Sequence, residues 1–183
     1  MPVLKIWKQH REFTRRLEAI RPRLFRLAYS WNHQRDLADD LVQDTLTKAL
    51  KKEKQLKDLA GFDNWVFKIL INNWRNYLRR NRVMENIDDY VFTDNTSPES
   101  LHEKALAITS VHEAVAALSQ GQRQTLTLID LEELSYREVA TILDIPIGTV
   151  MSRVCRARKK LAGALFAIKE QPEESSRMLR RVK

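Results

Sequence analysis

Cysteine, glycine and histidine are scarce in this sequence of 183 residues. Its one cysteine cannot form a disulfide within the chain, and its four scattered histidines lack the spacing of zinc ligands. Four glycines leave no glycine-rich loop to surround a phosphate group, and no nucleophile is paired with a base. These shortages predict a protein with no metal, no cofactor and no enzymatic active site, kept in a reducing compartment.

Long apolar runs are also lacking. The N-terminal stretch MPVLKIWKQHREFTRRL carries a charge every few residues, so it has the pattern of neither a signal peptide nor a membrane span. With 43% hydrophobic residues, the chain still has enough apolar side chains for one or two small cores. We expect a globular protein that stays in the cytoplasm and does not insert into a membrane.

Basic charge is missing from one internal segment. The chain has a formal net charge of +8, yet residues 84–103 contain six acidic side chains and no lysine or arginine. This segment has no helical periodicity and places threonine, serine and proline close together, as linkers do. We predict a first domain over 1–83, a flexible acidic linker over 84–104, a second domain over 105–168 and a tail over 169–183 with no pattern beyond its charges.

The stretch LSYREVATILDIPIGTVMSRVCRARKKL, residues 134–161, has two helical patterns separated by DIPIG. Ser135 and Glu138 have the spacing of a capping box, which begins a helix by satisfying its first amide groups. The proline and glycine of DIPIG predict the end of that helix and a sharp turn, after which Thr149 is suited to cap a second helix. The apolar face of the second helix, which we expect to pack inward, consists of Val150, Val154, Ala157 and Leu161.

The opposite face of the second helix is polar and basic. Two helices joined by a short turn, the second of them basic, are typical of a helix-turn-helix whose second helix enters the major groove of DNA. A helical hairpin with a solvated basic face is the alternative, but capping, turn and facial segregation all favour DNA binding. The candidate DNA-contacting residues are Thr149, Met151, Ser152, Arg153, Cys155, Arg156 and Lys159.

Two amphipathic patterns precede the linker. Residues 11–31, interrupted by Pro22, predict one helix or two helices joined near the proline, with an apolar face of Phe13, Leu17, Ile20, Leu24, Leu27 and Ala28. Residues 36–51 predict a further helix, whose inward face consists of Leu37, Leu41, Leu46, Ala49 and Leu50.

The outward face of the helix over 36–51 is acidic and includes Asp39, Asp40, Gln43 and Asp44. Acidic side chains near a helix start stabilise the helix through its macrodipole, and this role alone would explain them. On a domain that is otherwise strongly basic, they also form a candidate docking surface for a basic protein.

The stretch FDNWVFKILINNWRNYLRRNR, residues 62–82, combines aromatic side chains with cations. Asn72 and Asn73 interrupt its apolar run, and asparagine favours caps and turns, so we predict two helices that meet at a short polar loop. Rings and arginines together suit single-stranded nucleic acid, and amides at a loop tip can read the edge of an unstacked base. Most of the rings are better explained as core, so the asparagine pair and the arginines are the functional candidates.

The order of these segments resembles that of the extracytoplasmic-function (ECF) sigma factors of bacterial RNA polymerase over about residues 10–168. The segments are DLADDLVQDTLTKAL, the aromatic and basic stretch, the acidic linker and the helix-turn-helix. DDLVQD and LSYREVA…IPIGTVMSRVCRARKKL are specific only in combination. The resemblance implies an all-α protein with two small helical domains, the region 2 bundle and the region 4 helix-turn-helix, on either side of a flexible linker. It also implies that the protein directs core polymerase to promoters and aids their melting.

The resemblance further implies roles for the candidate residues. The acidic positions Asp39, Asp40, Gln43 and Asp44 match the family helix that docks on the polymerase clamp. The positions that match the minus-ten reading loop and its adjoining helix are Asn72, Asn73, Trp74, Arg75 and Arg79. The helix-turn-helix would read the minus-thirty-five element. Expected partners are core polymerase through its clamp and flap, promoter DNA and, as in many relatives, an anti-sigma factor.

This sequence departs from the family at several positions. Met151 and Cys155 replace side chains that are common in relatives, so the family's base preferences do not carry over. Leu46 and Leu50 stand where aromatic residues are frequent, and both look like core substitutions. A stand-alone helix-turn-helix regulator remains the alternative, although it leaves the acidic helix and the aromatic stretch unused and usually needs dimer symmetry.

Overall fold

The structure, a computed structural model, describes residues 2–56, 58–84 and 114–179, which we divide into an N-terminal half (2–84) and a C-terminal half (114–179). The regular elements in these ranges are all helical, which confirms the predicted all-α fold. Short 3-10 helices, Glu53–Gln55 and Leu59–Gly61, lie between α2 and α3. The α-helices are α1 (Pro2–Asn32), α2 (Arg35–Lys51), α3 (Phe62–Met84), α4 (Gln120–Asp130), α5 (Tyr136–Leu143) and α6 (Ile147–Leu179). The predicted linker lies outside the described residues except for Met84.

The helix α1 is continuous despite Pro22, which decides between the one-helix and two-helix predictions. Its predicted apolar face is confirmed, since none of these side chains is more than 4% exposed: Phe13, Leu17, Ile20, Leu24, Leu27 and Ala28. Proline removes one backbone hydrogen bond from a helix. Because buried residues on both sides of Pro22 pack into the same core, that loss does not end the helix.

The helix α2 packs against the core on one side and is open on the other. The predicted inward residues that contact the core are Leu37, Leu41, Leu46 and Ala49. Leu50 is 45% exposed, so the prediction that it belongs to the core is wrong. It lies in the last turn of α2, seven residues after the exposed Gln43, and so falls on the outward side of the helix.

The helix α3 has no break, so the predicted loop at Asn72 and Asn73 is wrong. Asn73 is 5% exposed. Its amide nitrogen donates to Thr45 Oγ1 at 2.9 Å, and its Oδ1 accepts from Lys48 Nζ at 2.6 Å. Because α2 satisfies both ends of this amide, the polar side chain fits inside the helix packing and does not end the helix.

The helices α5 and α6 form the predicted helix-turn-helix. The capping box is present: the Ser135 amide donates to Glu138 Oε2 at 2.9 Å, and the Glu138 amide donates to Ser135 Oγ at 3.3 Å. The turn was predicted to depend on proline and glycine, but the residue that adopts the left-handed conformation is Asp144, with φ of 57°. A short polar side chain tolerates that conformation better than most residues do.

The second helix of the motif begins earlier than predicted. α6 starts at Ile147, and the carbonyl of Pro146 accepts from the Thr149 amide at 2.9 Å. Thr149 therefore lies inside the first turn, and the prediction that it caps the helix is wrong. The inward face is confirmed for Val150, Val154 and Ala157, which are at most 2% exposed. The backbone of α6 continues to Leu179, so most of the predicted tail is helical.

The apolar core runs through both halves of the chain. One cluster joins Leu27 and Trp31 of α1 and Phe67 of α3 to Leu128 of α4 and Ile142 of α5. Between the halves, α1 packs against α4 and α3 packs against α5. We call this packing the closed arrangement. Two separate domains were predicted from the sequence, and the contact between them was not.

Replacing Asn73 with alanine is expected to lower the free energy of unfolding by about 1–3 kcal/mol, because Thr45 and Lys48 lose a buried partner. Asn72→Ala is the matched control, since Asn72 is the exposed neighbour; its effect should be below about 0.5 kcal/mol. Chemical denaturation measures both values. Equal effects of the two substitutions would contradict the buried role of Asn73.

Candidate nucleic-acid and polymerase interfaces

The outward face of α6 is polar and basic. Met151, Cys155, Arg156 and Lys159 are all exposed, and their spacing places them along one side of the helix. No ion pair within the described residues involves Arg156 or Lys159, so both cations are available to an anionic ligand. Arg158 differs, because Asp130 lies 2.6 Å away, and the hydrogen bond to this carboxylate raises the pKa of Arg158.

The other three candidates on α6 are half-buried. The Ser152 hydroxyl donates to the carbonyl of Thr149 at 3.0 Å within the helix. The guanidinium of Arg153 lies against α4, so close to Gly121 that a Cβ there would stand 3.0 Å from Arg153 Cζ. The absence of a side chain at Gly121 permits this approach. Arg153 is therefore less free to enter a groove than Arg156.

The acidic residues of α2 lie on its open side. Asp40, Gln43 and Asp44 are exposed, and Asp39 is half-buried. Asp44 is 3.7 Å from Lys48, one turn further along the helix. We call Asp40, Gln43 and Asp44 the acidic surface. The opposite side of α2 is buried in the core, which holds this surface rigidly.

The five minus-ten candidates on α3 do not form one surface. Asn72 and Arg79 are exposed, whereas Asn73 and Trp74 are buried, and Arg75 donates to the carbonyl of Leu143 at 2.9 Å. The minus-ten role of these five residues therefore stays a prediction, and Asn72 and Arg79 are the two that are exposed in this arrangement. A continuous helix with about 3.6 residues per turn places neighbouring residues on different sides.

The side chain of Trp74 belongs to the aromatic part of the core. It is 6% exposed, and its ring stacks on Tyr77 with centroids 5.5 Å apart. The ring centroid of Trp31 in α1 lies 6.4 Å away on a tilted plane. A ring enclosed in this way has no free face on which a base could stack.

Polar contacts between the halves surround the shared core, and none of them was predicted from the sequence. Arg23 Nε donates to Glu132 Oε2 at 2.6 Å, and Trp31 Nε1 donates to Thr127 Oγ1 at 2.9 Å. Arg123 Nη1 donates to the carbonyl of Trp31 at 2.6 Å, and burial lowers the pKa of Arg123. The partners are 92 to 109 residues apart in the sequence, so no local pattern indicates them.

The first helix of the helix-turn-helix is held at both ends by α3. Asn64 Nδ2 donates to Glu138 Oε1 at 3.1 Å near the start of α5, and Arg75 caps the carbonyl of Leu143 at its end. Glu138 thus serves the capping box and the contact between the halves. Its hydrogen bonds from the Ser135 hydroxyl and amide lower the pKa of this carboxyl group.

Within the ranges that the structure describes, no group of three or more histidine, cysteine, aspartate or glutamate residues is placed to hold a metal ion. In the same ranges, no helix combines the length and apolar character needed to cross a membrane.

Comparisons with known proteins match the two halves separately. Residues 17–83 match the family model of sigma-70 region 2. This range contains the second half of α1, all of α2 and nearly all of α3. Residues 108–161 match the model of sigma-70, region 4, which here contains α4, α5 and the first part of α6.

Individual relatives extend this likeness over most of the chain. The ECF RNA polymerase sigma factor EcfG of Rhodopseudomonas palustris is 36% identical over 148 residues, which are 79% of this chain and 80% of that protein. The sigma factor RpoE of Bartonella quintana, solved in complex with the anti-sigma factor NepR, is 32% identical with a TM-score of 0.73 over 84% of this chain and 96% of that one. CnrH, solved with the cytosolic domain of CnrY, is 25% identical with a TM-score of 0.66 over 86% and 89%. Their agreement with both family models shows that this chain belongs to the ECF sigma factors of the sigma-70 family.

Proposed function

We propose that this chain directs core RNA polymerase to specific promoters and helps to open them, with one promoter element assigned to each half. The observation that carries the proposal is the division of α6 into two faces. Val154 and Ala157 anchor it in the core, while Arg156 and Lys159 face solvent and form no ion pair with any described residue. A helix supported from behind in this way can enter a major groove without any rearrangement of the helix-turn-helix.

The minus-thirty-five element is assigned to the outward face of α6. Arg156 lies one turn beyond Ser152, where its guanidinium can make a bidentate contact to guanine O6 and N7. Lys159 lies nearly one further turn from the helix start and is better placed to reach a phosphate. Met151 and Cys155 are exposed beside them and offer apolar contact, whereas Thr149, Ser152 and Arg153 are half-buried and support the face.

Polymerase docking is assigned to the acidic surface of α2. Its carboxylates project from a helix whose other side is buried, so they keep fixed positions relative to the core. A basic surface on the polymerase clamp would be electrostatically complementary to Asp40 and Asp44. Leu50 extends the same open side of α2 beyond these acids with an apolar side chain.

The minus-ten element is assigned to the exposed side of α3, where Asn72 and Arg79 lie. Asn73 and Trp74 hold α3 against α2 and α1, so their contribution is structural. Arg75 contacts the C-terminal half and becomes available to DNA only when that contact is broken.

This function needs no catalytic group in the chain itself and places the protein in the cytoplasm with the polymerase. Core polymerase, through its clamp and flap, and promoter DNA are the proposed partners. An anti-sigma factor is proposed as a further partner, because a relative that is 32% identical was solved in complex with one.

Reconstitution with core polymerase tests the proposed function directly. We expect transcription to start at defined positions that share two upstream elements, and mapping transcript starts across the source genome measures this. Core polymerase alone is the control. Starts without shared elements, or tight sequence-specific binding of promoter duplex by the free protein at physiological salt, would favour the stand-alone regulator.

Reversing Asp40 and Asp44 together to lysine is expected to weaken binding to core polymerase by roughly tenfold, because like charges would face the clamp. A double variant with the same change in net charge, Glu18→Lys with Glu133→Lys, is the control, since both residues are exposed and neither lies on α2. Fluorescence anisotropy with labelled protein measures both affinities. If the folded Asp40 and Asp44 variant binds like the control, these acids only stabilise the start of α2.

Arg156→Ala and Lys159→Ala are expected to affect promoter use differently. Loss of the bidentate contact of Arg156 should cost about 1–3 kcal/mol of binding free energy at one base pair and flatten the base preference there. Loss of the phosphate contact of Lys159 should weaken binding to all sequences alike. A library of minus-thirty-five variants transcribed by each mutant holoenzyme measures the difference. A uniform loss across the library for Arg156→Ala would show that Arg156 does not read a base.

A further inference from the structure

Glu132 is a buried carboxylate that the proposed function does not use. It lies in the turn between α4 and α5, and its side chain is 1% exposed. Both of its oxygens contact cations of α1 in the other half: Arg23 Nε at 2.6 Å and Arg26 Nη2 at 3.4 Å. Arg23 is itself positioned by a second carboxylate, Asp63, and by the ring of Phe67, whose centroid is 5.1 Å from its Cζ.

The closed arrangement also occupies a candidate DNA contact. Arg75 is hydrogen-bonded to the carbonyl of Leu143, and Asn64, on the same side of α3, is bonded to Glu138. Both contacts lie on α5, the first helix of the proposed minus-thirty-five reader. The two DNA-reading parts of the molecule therefore lie against each other.

The closed arrangement is too short to read a promoter. By their positions the minus-ten and minus-thirty-five elements lie about 25 base pairs apart, which is about 85 Å of duplex at about 3.4 Å per base pair. Arg75 contacts Leu143, four residues before α6 begins at Ile147. At about 3.8 Å per residue through the turn and about 1.5 Å per residue along α6, even Lys159 lies within about 45 Å of Arg75. One molecule must separate its halves to reach both elements.

We propose that Glu132, through its contacts with Arg23 and Arg26, acts as a latch that keeps the two DNA-reading halves together until polymerase binds. This inference rests on the proposed function and adds a control step to it. The acidic surface of α2 is exposed in the closed arrangement, so polymerase can dock before the latch opens. Once docked, polymerase binds the C-terminal half in competition with the contacts that Glu132 makes to Arg23 and Arg26.

The latch depends on charge, which gives it a specific signature. A buried carboxylate is stable only while its cations are in place, and breaking such a pair is costly. In the open arrangement Glu132 returns to water and needs no partner. Glu132→Gln removes the attraction from the closed arrangement alone and therefore favours opening. Glu133→Gln is the matched control, because Glu133 is the exposed neighbour and the change in net charge is the same.

Energy transfer between two dyes reports the separation of the halves. The native Cys155 in α6 takes one dye, and a cysteine introduced at the exposed position Gln55 takes the other. We expect efficient transfer in the free protein and a fall when core polymerase is added. Glu132→Gln should show the fall without polymerase, and Glu133→Gln should behave like the unsubstituted protein.

A gain of binding separates a latch from a structural role. Without dyes, free Glu132→Gln should bind a promoter fragment carrying both elements roughly tenfold more tightly than Glu133→Gln, which is within the usual range of coupling between sites. A substitution that only damaged the fold would lower this affinity. Equal transfer and equal affinity for the two variants, at unchanged helix content, would overturn the proposal.

A milder variant covers the case in which Glu132→Gln loses helix content. Arg26 is 58% exposed and makes the longer contact, so Arg26→Gln should leave the fold intact and lower the transfer partially. Unchanged transfer in Arg26→Gln would then reject the latch. If the unsubstituted holoenzyme does not start transcription at defined promoters, the proposed function is rejected. The dye measurement would still decide whether Glu132 holds the two halves together.

Discussion

The burial of Trp31 between the two halves is the contact on which the arrangement of the molecule depends. Its side chain is 2% exposed, its indole nitrogen donates to Thr127 of the other half, and its carbonyl accepts from Arg123. A buried tryptophan contributes a large apolar surface but brings one donor that must be satisfied. Here the N-terminal half supplies the ring and the C-terminal half supplies the acceptor. Residues of both halves belong to the cluster that contains this ring, so the apolar core is shared.

A shared core determines which polar residues of α3 remain free for function. The side of α3 that faces α2 is fixed by the bonds of Asn73, and the side that faces α5 is occupied by Asn64 and Arg75. Only the third side, with Asn72 and Arg79, is open. The chemistry of this segment therefore does not follow from its composition. The same amide or guanidinium is structural or available according to the helix that lies opposite.

The features that could be predicted from the sequence have both partners within a few residues. The capping box of Ser135 and Glu138 and the buried face of α6 are of this kind, and both were predicted correctly. The continuity of α3 was missed because the groups that satisfy Asn73 come from Thr45 and Lys48, 28 and 25 residues away. The contact of Arg23 with Glu132 spans 109 residues and has no local signal at all. The apolar pattern indicates which faces are buried, but not which distant helix covers them.

The contacts between the halves are of a kind that can be broken and remade. An interface made only of apolar side chains would expose all of its apolar surface to water on opening, and each square ångström would add to the free energy of opening. Of the charged groups at this interface, the cations of α1 are partly solvated already: Arg23 is 32% exposed and Arg26 is 58% exposed. They regain full hydration when the halves separate, which offsets part of the attraction that is lost. Arg123 also bonds to the carbonyls of Val115 and Leu118 in its own half, so opening removes only one of its acceptors. The protein thereby combines a defined compact form with a separation that a binding partner can drive.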